Sequence, residues 1–403
     1  MKKAISLILF LLSILTLTVP SRNRNSITPN TNSEKNTLYL FITNVHEGIS
    51  EWSYLISDLI FLSHHLSISS LSTEVVFVEP CVLEGRIVSC DKNMSIPLGL
   101  IYDLDIIENS HLMSWSNWTS FSRQNKGIRK VICNSASNEK YQKSDYLQPG
   151  FLGVFDIKKS NDIESCITAI MKESPHRESV IYLSYLWNNG RTFHNIKKSD
   201  HYKVPMQFHP KIFQLLNQIF SDSHIEMKNI IAFNWRSETR PMEVLLPCAS
   251  TLVAAARDWA SVYPNHSVFL VSDISLSENI TLWSGMKSKT PENVLTLLKL
   301  HFFKLEELSG LQDFMRKEPI YADRIFFSVF DMIISQKAEV FIPCDDTNSA
   351  VCSQCSRTAS NFVREIKKAR NSTHLPSANT WILPGRPDEL VLQIPEYELK
   401  PGV

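Results

Sequence analysis

The chain has 403 residues, 41 Lys and Arg against 41 Asp and Glu, and a hydrophobic fraction of 43%. That length exceeds what one hydrophobic core organises and predicts two domains, while the even charge balance supplies no basic excess or stripe for nucleic acid. With 11 glycines, a glycine-looped or low-complexity protein is excluded.

Lys2 and Lys3 precede a largely apolar, uncharged stretch over residues 4–20, which reads as a secretory signal peptide or as a signal anchor that attaches the chain to a membrane. Both readings stay open. The stretch is slightly short for a spanning helix and lacks a small-x-small cleavage site, and Arg22 and Arg24 lie on its far side. Residues 21–36, polar and rich in Asn, Ser and Thr, form a flexible stem. Glycosylation sequons begin at Asn93, Asn117, Asn265, Asn279 and Asn371, all compatible with lumenal loops. The eight cysteines fit an oxidising compartment. Together these features predict the lumen of the endoplasmic reticulum or Golgi, with the chain either anchored as a single-pass protein or soluble after cleavage. Cys81 and Cys90 flank a short hairpin-like segment that a disulfide can close. Cys344, Cys352 and Cys355 form a second cluster containing a C-x-x-C. With no second C-x-x-C or His pair nearby, structural disulfides are expected there rather than zinc.

The folded part opens with a strand over residues 37–43, followed by a glycine-containing turn and a helix over about 50–65, where Trp52, Leu55, Ile56, Leu59 and Ile60 recur at helical spacing. Glu47 in that turn would repel phosphate. It reads either as a group that takes a proton from an acceptor hydroxyl or as an ordinary first-turn acid. A second strand covers 75–78. The apolar run 98–107 carries Asp103-Leu104-Asp105; a D-x-D can hold a divalent ion against a diphosphate, but ahead of a helix-like segment capping is the preferred reading. Strands at 130–133 and 180–186 with a helix over 163–172 complete an α/β unit spanning residues 37–205. A linker is expected over 202–210, where Pro205 and Pro210 interrupt the pattern.

The second unit, residues 206–395, begins with an amphipathic helix carrying Ile212, Leu215, Leu216, Ile219 and Phe220. It leads into the apolar run 230–235, a buried parallel strand that stops at Arg236, Ser237 and Glu238. Ligands of open α/β sheets sit at the carboxyl ends of such strands, and a planar guanidinium fork is well matched to a diphosphate; a plain Arg/Glu ion pair is the alternative. A helix over 246–263 follows, then a strand over 267–273 ending on Asp273, placed for a ribose, a base edge or a cap. A helix over 324–336 contains Asp331, and a strand is expected over 337–342. Ser360 and Asn361 open a last helix, where they either cap it or bind phosphate with its free N–H groups.

In this order the pieces resemble the GDP-fucose fucosyltransferase superfamily. The carriers are Asn234-Trp235-Arg236 for an H-x-R strand end, then Asp273, then Asp331 with Ala338 and Phe341-Ile342, then Ser360-x-Phe362 with Ile366 and Arg370. Glu47-Gly48-Ile49-Ser50 looks like the E-G-F-N loop of the protein O-fucosyltransferases, especially the type acting on thrombospondin repeats. The resemblance spans about residues 37–371. It departs at Asn234 (usually His), Ser50 (usually Asn) and Asn361 (usually Ser or Thr), and in a cysteine-rich insertion after Phe341-Ile342.

The resemblance implies a GT-B-like α/β fold of two facing Rossmann-like domains, with an acceptor-side first domain, a GDP-fucose-binding second domain and a cleft between them. It implies inverting, metal-independent transfer of fucose from GDP-fucose, with no cofactor, to a hydroxyl of a secretory-pathway protein or glycan. Glu47 and Arg236 would be catalytic, and Gly48, Ile49, Ser50, Asn234, Asp273, Asp331, Ser360, Asn361 and Phe362 would contact substrate. A catalytically silent lectin-like or quality-control protein of the same fold is the alternative.

Overall fold

A computed structural model describes residues 36–43, 49, 52, 56, 73–83, 86–88, 90, 95–104, 112–124, 129–135, 151–157, 179–184, 207–237, 240–274, 276, 290–318, 324–345, 349–356, 360–378, 380 and 381. The expected signal, residues 21–35 of the expected stem, the expected helix 163–172, Glu47, Gly48, Ser50, Asp105, and the sequons at Asn93 and Asn279 lie outside them, while Asn36 opens the first strand. Among the described residues no helix is long and apolar enough to cross a membrane.

The architecture is α/β with parallel sheets. Among the described residues the first sheet has six strands: β1 (Asn36–Thr43), β2 (Thr73–Val78), β6 (Leu112–Met113), β7 (Arg129–Ser135), β8 (Phe151–Ile157) and β9 (Ser179–Ser184), in the order β6-β2-β1-β9-β7-β8. Every neighbouring pair in it is parallel. Strand β1 lies inside the sheet with both faces covered, which explains why it reads as an unbroken apolar run. Leu38 and Leu40 enter the largest core cluster together with Trp52 and Ile56, both helical, as the spacing predicts. Tyr39 and Phe41 face the other way onto α1 (Trp115–Gln124), with ring centroids 5.0 Å and 4.8 Å from Trp118. The sequence pattern misses α1 and β8. Ser, Asn and Thr fill much of α1, and its aromatic side chains support a helix only once the sheet gives them a partner.

Strands β3 (Cys81–Leu83), β4 (Arg86–Val88) and β5 (Ile96–Pro97) form a small antiparallel sheet closed by the expected Cys81–Cys90 disulfide. Beside it the buried carboxylate of Glu79 accepts from Gly99 N at 2.5 Å and Trp115 N at 2.8 Å, fixing the start of α1. The expected linker ends packed rather than free. Asp103 N donates to Gln207 O and His209 N to Ile101 O, and Tyr102 stacks on Phe208.

Among the described residues the second sheet is three parallel strands, β10 (Ile230–Trp235) between β11 (Ser267–Ser272) and β12 (Val340–Pro343). All six residues of β10 are buried, and strand alternation sends them to two cores. Ile230 and Ala232 join Ile212, Leu216 and Ile219 of α2 (Pro210–Asp222), Leu311 of α5 (Ser309–Lys317) and Phe326 and Phe330 of α6 (Arg324–Lys337). Ile231, Phe233 and Trp235 join Ala249, Leu252 and Ala256 of α3 (Met242–Val262) and Val294 and Leu298 of α4 (Glu292–Lys299). The result is a three-layer sandwich. The cluster on the Ile230 face continues without a break to Leu38 and Leu40 of the first sheet.

Several boundaries differ from the sequence reading. Helix α3 starts at Met242 instead of residue 246, because Pro241 occupies its N-cap and Pro247 is accommodated inside it. Helix α6 runs through Lys337, so β12 begins only at Val340. The cysteine-rich segment contains α7 (Ala350–Cys355). Its C-x-x-C is split between two disulfides, Cys344–Cys352 and Cys248–Cys355. Asn117 and Asn371 are exposed on helices rather than loops, and Asn265 is exposed in a turn.

Candidate functional site

The carboxyl edge of the second sheet gathers the polar groups that the sequence sets at strand ends. Trp235 pairs in register with Ser272, so Arg236 and Asp273 leave adjacent strands side by side. Asp273 grips the residue after Arg236. Its Oδ1 accepts from Ser237 N at 2.8 Å and its Oδ2 from Ser237 Oγ at 2.9 Å. Arg236 Nη1 donates to Ser360 Oγ at 3.2 Å, and Arg236 N donates to Ser356 Oγ at 3.3 Å. Ser360 is the N-cap residue of α8 (Asn361–Ser372), yet its side chain makes no capping bond to that helix. The hydroxyl instead holds the guanidinium at the positive end of a 12-residue helix, where free N–H groups and the helix dipole attract anions.

The remaining expected residues fall in distinct places. Asn234 is buried; its Nδ2 donates to Val271 O at 3.3 Å, and its own carbonyl accepts from Trp381 Nε1. It thus ties β10 to β11 two residues before Arg236, on the same strand face. Asn361 Oδ1 accepts from Arg364 on the outer side of α8. Phe362 is half-buried against the large core cluster. Ile49 is buried in that same cluster, which also contains Val363 and Ile366 of α8. Its carbonyl accepts from Tyr102 Oη at 3.1 Å. Burial, and secondarily the negative charge of Glu365 on α8, pushes the Tyr102 phenol well above its usual range. Ile49 itself therefore packs near the helix that Ser360 begins.

Asp331 lies on α6 with Lys304 and Glu306 around it. Burial raises its carboxyl to about 7, with Lys304 opposing the rise and Glu306 adding to it. Sequence reading missed Lys304 and Glu306, although both are only 2% exposed. Lys304 Nζ donates to Ser272 O at 2.8 Å and to Ile274 O at 2.5 Å, and Glu306 Oε1 accepts from Leu276 N. A buried ammonium and a buried carboxylate thus clamp the loop that carries Asp273, and Asp331 lies behind that clamp.

Arg240 and Ser356 also escaped the sequence reading, which placed Ser237 at the strand end without a role. Arg240 Nη2 donates to Ser356 O at 2.5 Å, while its Nε is buried without a hydrogen-bond partner. One signal was available in the sequence: a second arginine four residues after Arg236. Arg370, which closes the serine-to-arginine pattern of α8, has no exposed surface and spends its guanidinium on backbone carbonyls. Its role here is structural. Among the described residues no group of three or more His, Cys, Asp or Glu is placed to hold a metal ion.

The arrangement can receive an anion. Among the described residues, two guanidinium groups and a helix N-terminus come together at Ser356 and Ser360, and the nearby Asp273 carboxylate accepts from Ser237. No protein-family model matches the chain, and no curated protein matches it. Solved structures similar to it include the fucosyltransferase NodZ from Bradyrhizobium, at 12% identity over 83% of this chain and 93% of that one, with a TM-score of 0.38. Another is NodZ α-1,6-fucosyltransferase co-crystallised with GDP, at 11% identity over 83% and 92%, with a TM-score of 0.36. Likeness at these values carries neither fold nor chemistry over to this chain.

Proposed function

We propose that this chain is a glycosyltransferase that moves fucose from GDP-fucose to a hydroxyl of a secretory-pathway protein or glycan, with inversion and without a metal ion. The observation that carries the reading is Arg236. It stands at the carboxyl end of the central parallel strand, with its guanidinium on the serine that opens α8. A diphosphate seated there meets a bidentate donor and a helix N-terminus together. As the sugar C1–O bond breaks, negative charge develops on the leaving β-phosphate. A preorganised guanidinium next to it stabilises that charge more in the transition state than in the ground state.

In this reading residues 206–395 hold the donor and residues 37–205 present the acceptor, with Glu47 taking the proton from the incoming hydroxyl. Asp273 fixes Ser237 beside Arg236, and Asp331 acts from behind the loop that bears Asp273. The disulfides among the described residues support folding in an oxidising lumen, so the endoplasmic reticulum or Golgi is the proposed compartment.

The test is calorimetric titration of the folded protein with GDP and GDP-fucose in EDTA, followed by transfer assays, on wild type and Arg236→Ala. Micromolar binding that the substitution abolishes, with transfer reduced on the order of 10²-fold or more, is the expected outcome. Unchanged binding and rate in the variant would refute the site.

A further inference from the structure

The cysteine-rich segment after β12 touches both arginines of the candidate site. We propose that Ser356, held in place by the Cys248–Cys355 disulfide, is a positioning residue for Arg236 and Arg240. Ser356 is 1% exposed and closes α7 as its C-cap. Its two oxygens serve the two arginines: Oγ accepts from Arg236 N at 3.3 Å, and the carbonyl accepts from Arg240 Nη2 at 2.5 Å. That contact with Ser356 is the one hydrogen bond the Arg240 side chain makes among the described residues, and its Nε is buried without a partner. The direction in which Arg240 presents its charge therefore depends on where Ser356 stands.

The segment that ends at Ser356 is anchored three ways. Cys355 is bonded to Cys248 of α3, its carbonyl accepts from Trp235 Nε1 at 2.6 Å, and Cys352, one turn earlier, is bonded to Cys344, the residue that follows β12. Trp235 is the residue immediately before Arg236 on β10, so the same peptide is fixed to the strand on both sides of the strand end. The covalent link joins residues 107 apart in sequence, and it lands one residue from the hydroxyl that receives Arg236. This arrangement makes the cysteines part of the site's alignment as well as of its stability.

The inference concerns the same site as the proposed function and uses GDP as one probe, so a second readout independent of ligand accompanies it. Amide hydrogen exchange at Arg236 and GDP titration are measured on wild type, Ser356→Ala, Ser356→Thr and the double variant Cys248→Ala/Cys355→Ala. Exchange at Arg236 is expected to quicken about tenfold or more in Ser356→Ala and in the cysteine variant. Ser356→Thr, which keeps the hydroxyl, should match wild type, and residues 231–235 should stay protected in all four. GDP dissociation constants should rise roughly tenfold in the same two variants and recover in Ser356→Thr.

Unchanged exchange at Arg236 in Ser356→Ala overturns the positioning role, whatever GDP does. Wild type that fails to bind GDP removes the donor reading alone, and the exchange result still decides this one. A cysteine variant that does not fold at all overturns the disulfide's part, because its contribution is then global rather than local to the site.

Discussion

Replacing Arg370 with Met tests whether α8 is held by a buried guanidinium rather than by its apolar face alone. Arg370 is fully buried and donates to the carbonyls of Ser335, Gln336, Ala338, Glu339 and Pro376 and to Ser377 Oγ, with distances of 2.7 Å to Ala338 O, 2.9 Å to Ser335 O and Glu339 O, and 3.0 Å to Ser377 Oγ. Ser335 and Gln336 are among the last carbonyls of α6, which the helix itself cannot satisfy; Ala338 and Glu339 lead into β12. One side chain thus finishes a helix, enters a strand and fixes α8. Each buried acceptor left without a donor costs about 1–3 kcal/mol. The six acceptors share one guanidinium, so their costs do not add; removing one member of a buried charged network costs about 3–5 kcal/mol. At roughly 2–4 °C per kcal/mol for a large domain, a loss of about 4 kcal/mol lowers the unfolding midpoint by roughly 8–16 °C. Thermal unfolding by circular dichroism measures it. Arg370→Lys, whose ammonium reaches at most three acceptors, should lie between Met and wild type. A midpoint lowered by less than about 2 °C in Arg370→Met, or a loss of GDP affinity in protein that is still folded, would refute the structural role.

Two further outcomes follow from buried polar groups. A Cβ at Gly99 would lie 2.8 Å from Glu79 Oε1 and 3.3 Å from Leu104 Cδ1, so Gly99→Ala displaces the carboxylate that holds the start of α1 and should cost about 1–3 kcal/mol; urea unfolding no weaker than wild type would contradict that account. Burial raises the Asp331 carboxyl from its ordinary value to about 7. Across roughly pH 4–7 the unfolded chain has then released a proton that the folded protein retains. Stability attributable to this group is full below that window, falls through it, and is level above about pH 7. Asp331→Asn should remove the fall, worth about 1–2 kcal/mol after solvent screening, so that urea midpoints at pH 5 and pH 8 move closer together; an unaltered difference between them counts against it.

Much of the second sheet was legible in the sequence because its elements are strongly periodic. The helical spacing of Ile212, Leu216 and Ile219 and the unbroken apolar runs of β10 and β11 can be buried in only one way each. Arg236 and Asp273 stood out because a charge ending a buried strand has to emerge at the sheet edge. Elements such as α1, α4, α5 and β8 were not legible, since mixed polar and aromatic stretches choose their state from the surface they pack on.

Local pattern alone carries the α/β character, the strand ends that bear Arg236 and Asp273, the Cys81–Cys90 hairpin and the residue that opens α8. The packing of distant segments decided that Asp273 grips Ser237, that Lys304 and Glu306 clamp its loop, and that Arg370 is a core residue. It also decided that Cys355 pairs with a cysteine 107 residues away and sets Ser356 beneath two arginines. Periodicity and capping are local, set by the 3.6- and 2-residue repeats of the backbone. Pairings across more than a hundred residues depend on which strands become neighbours, and one sequence carries no local signal of that.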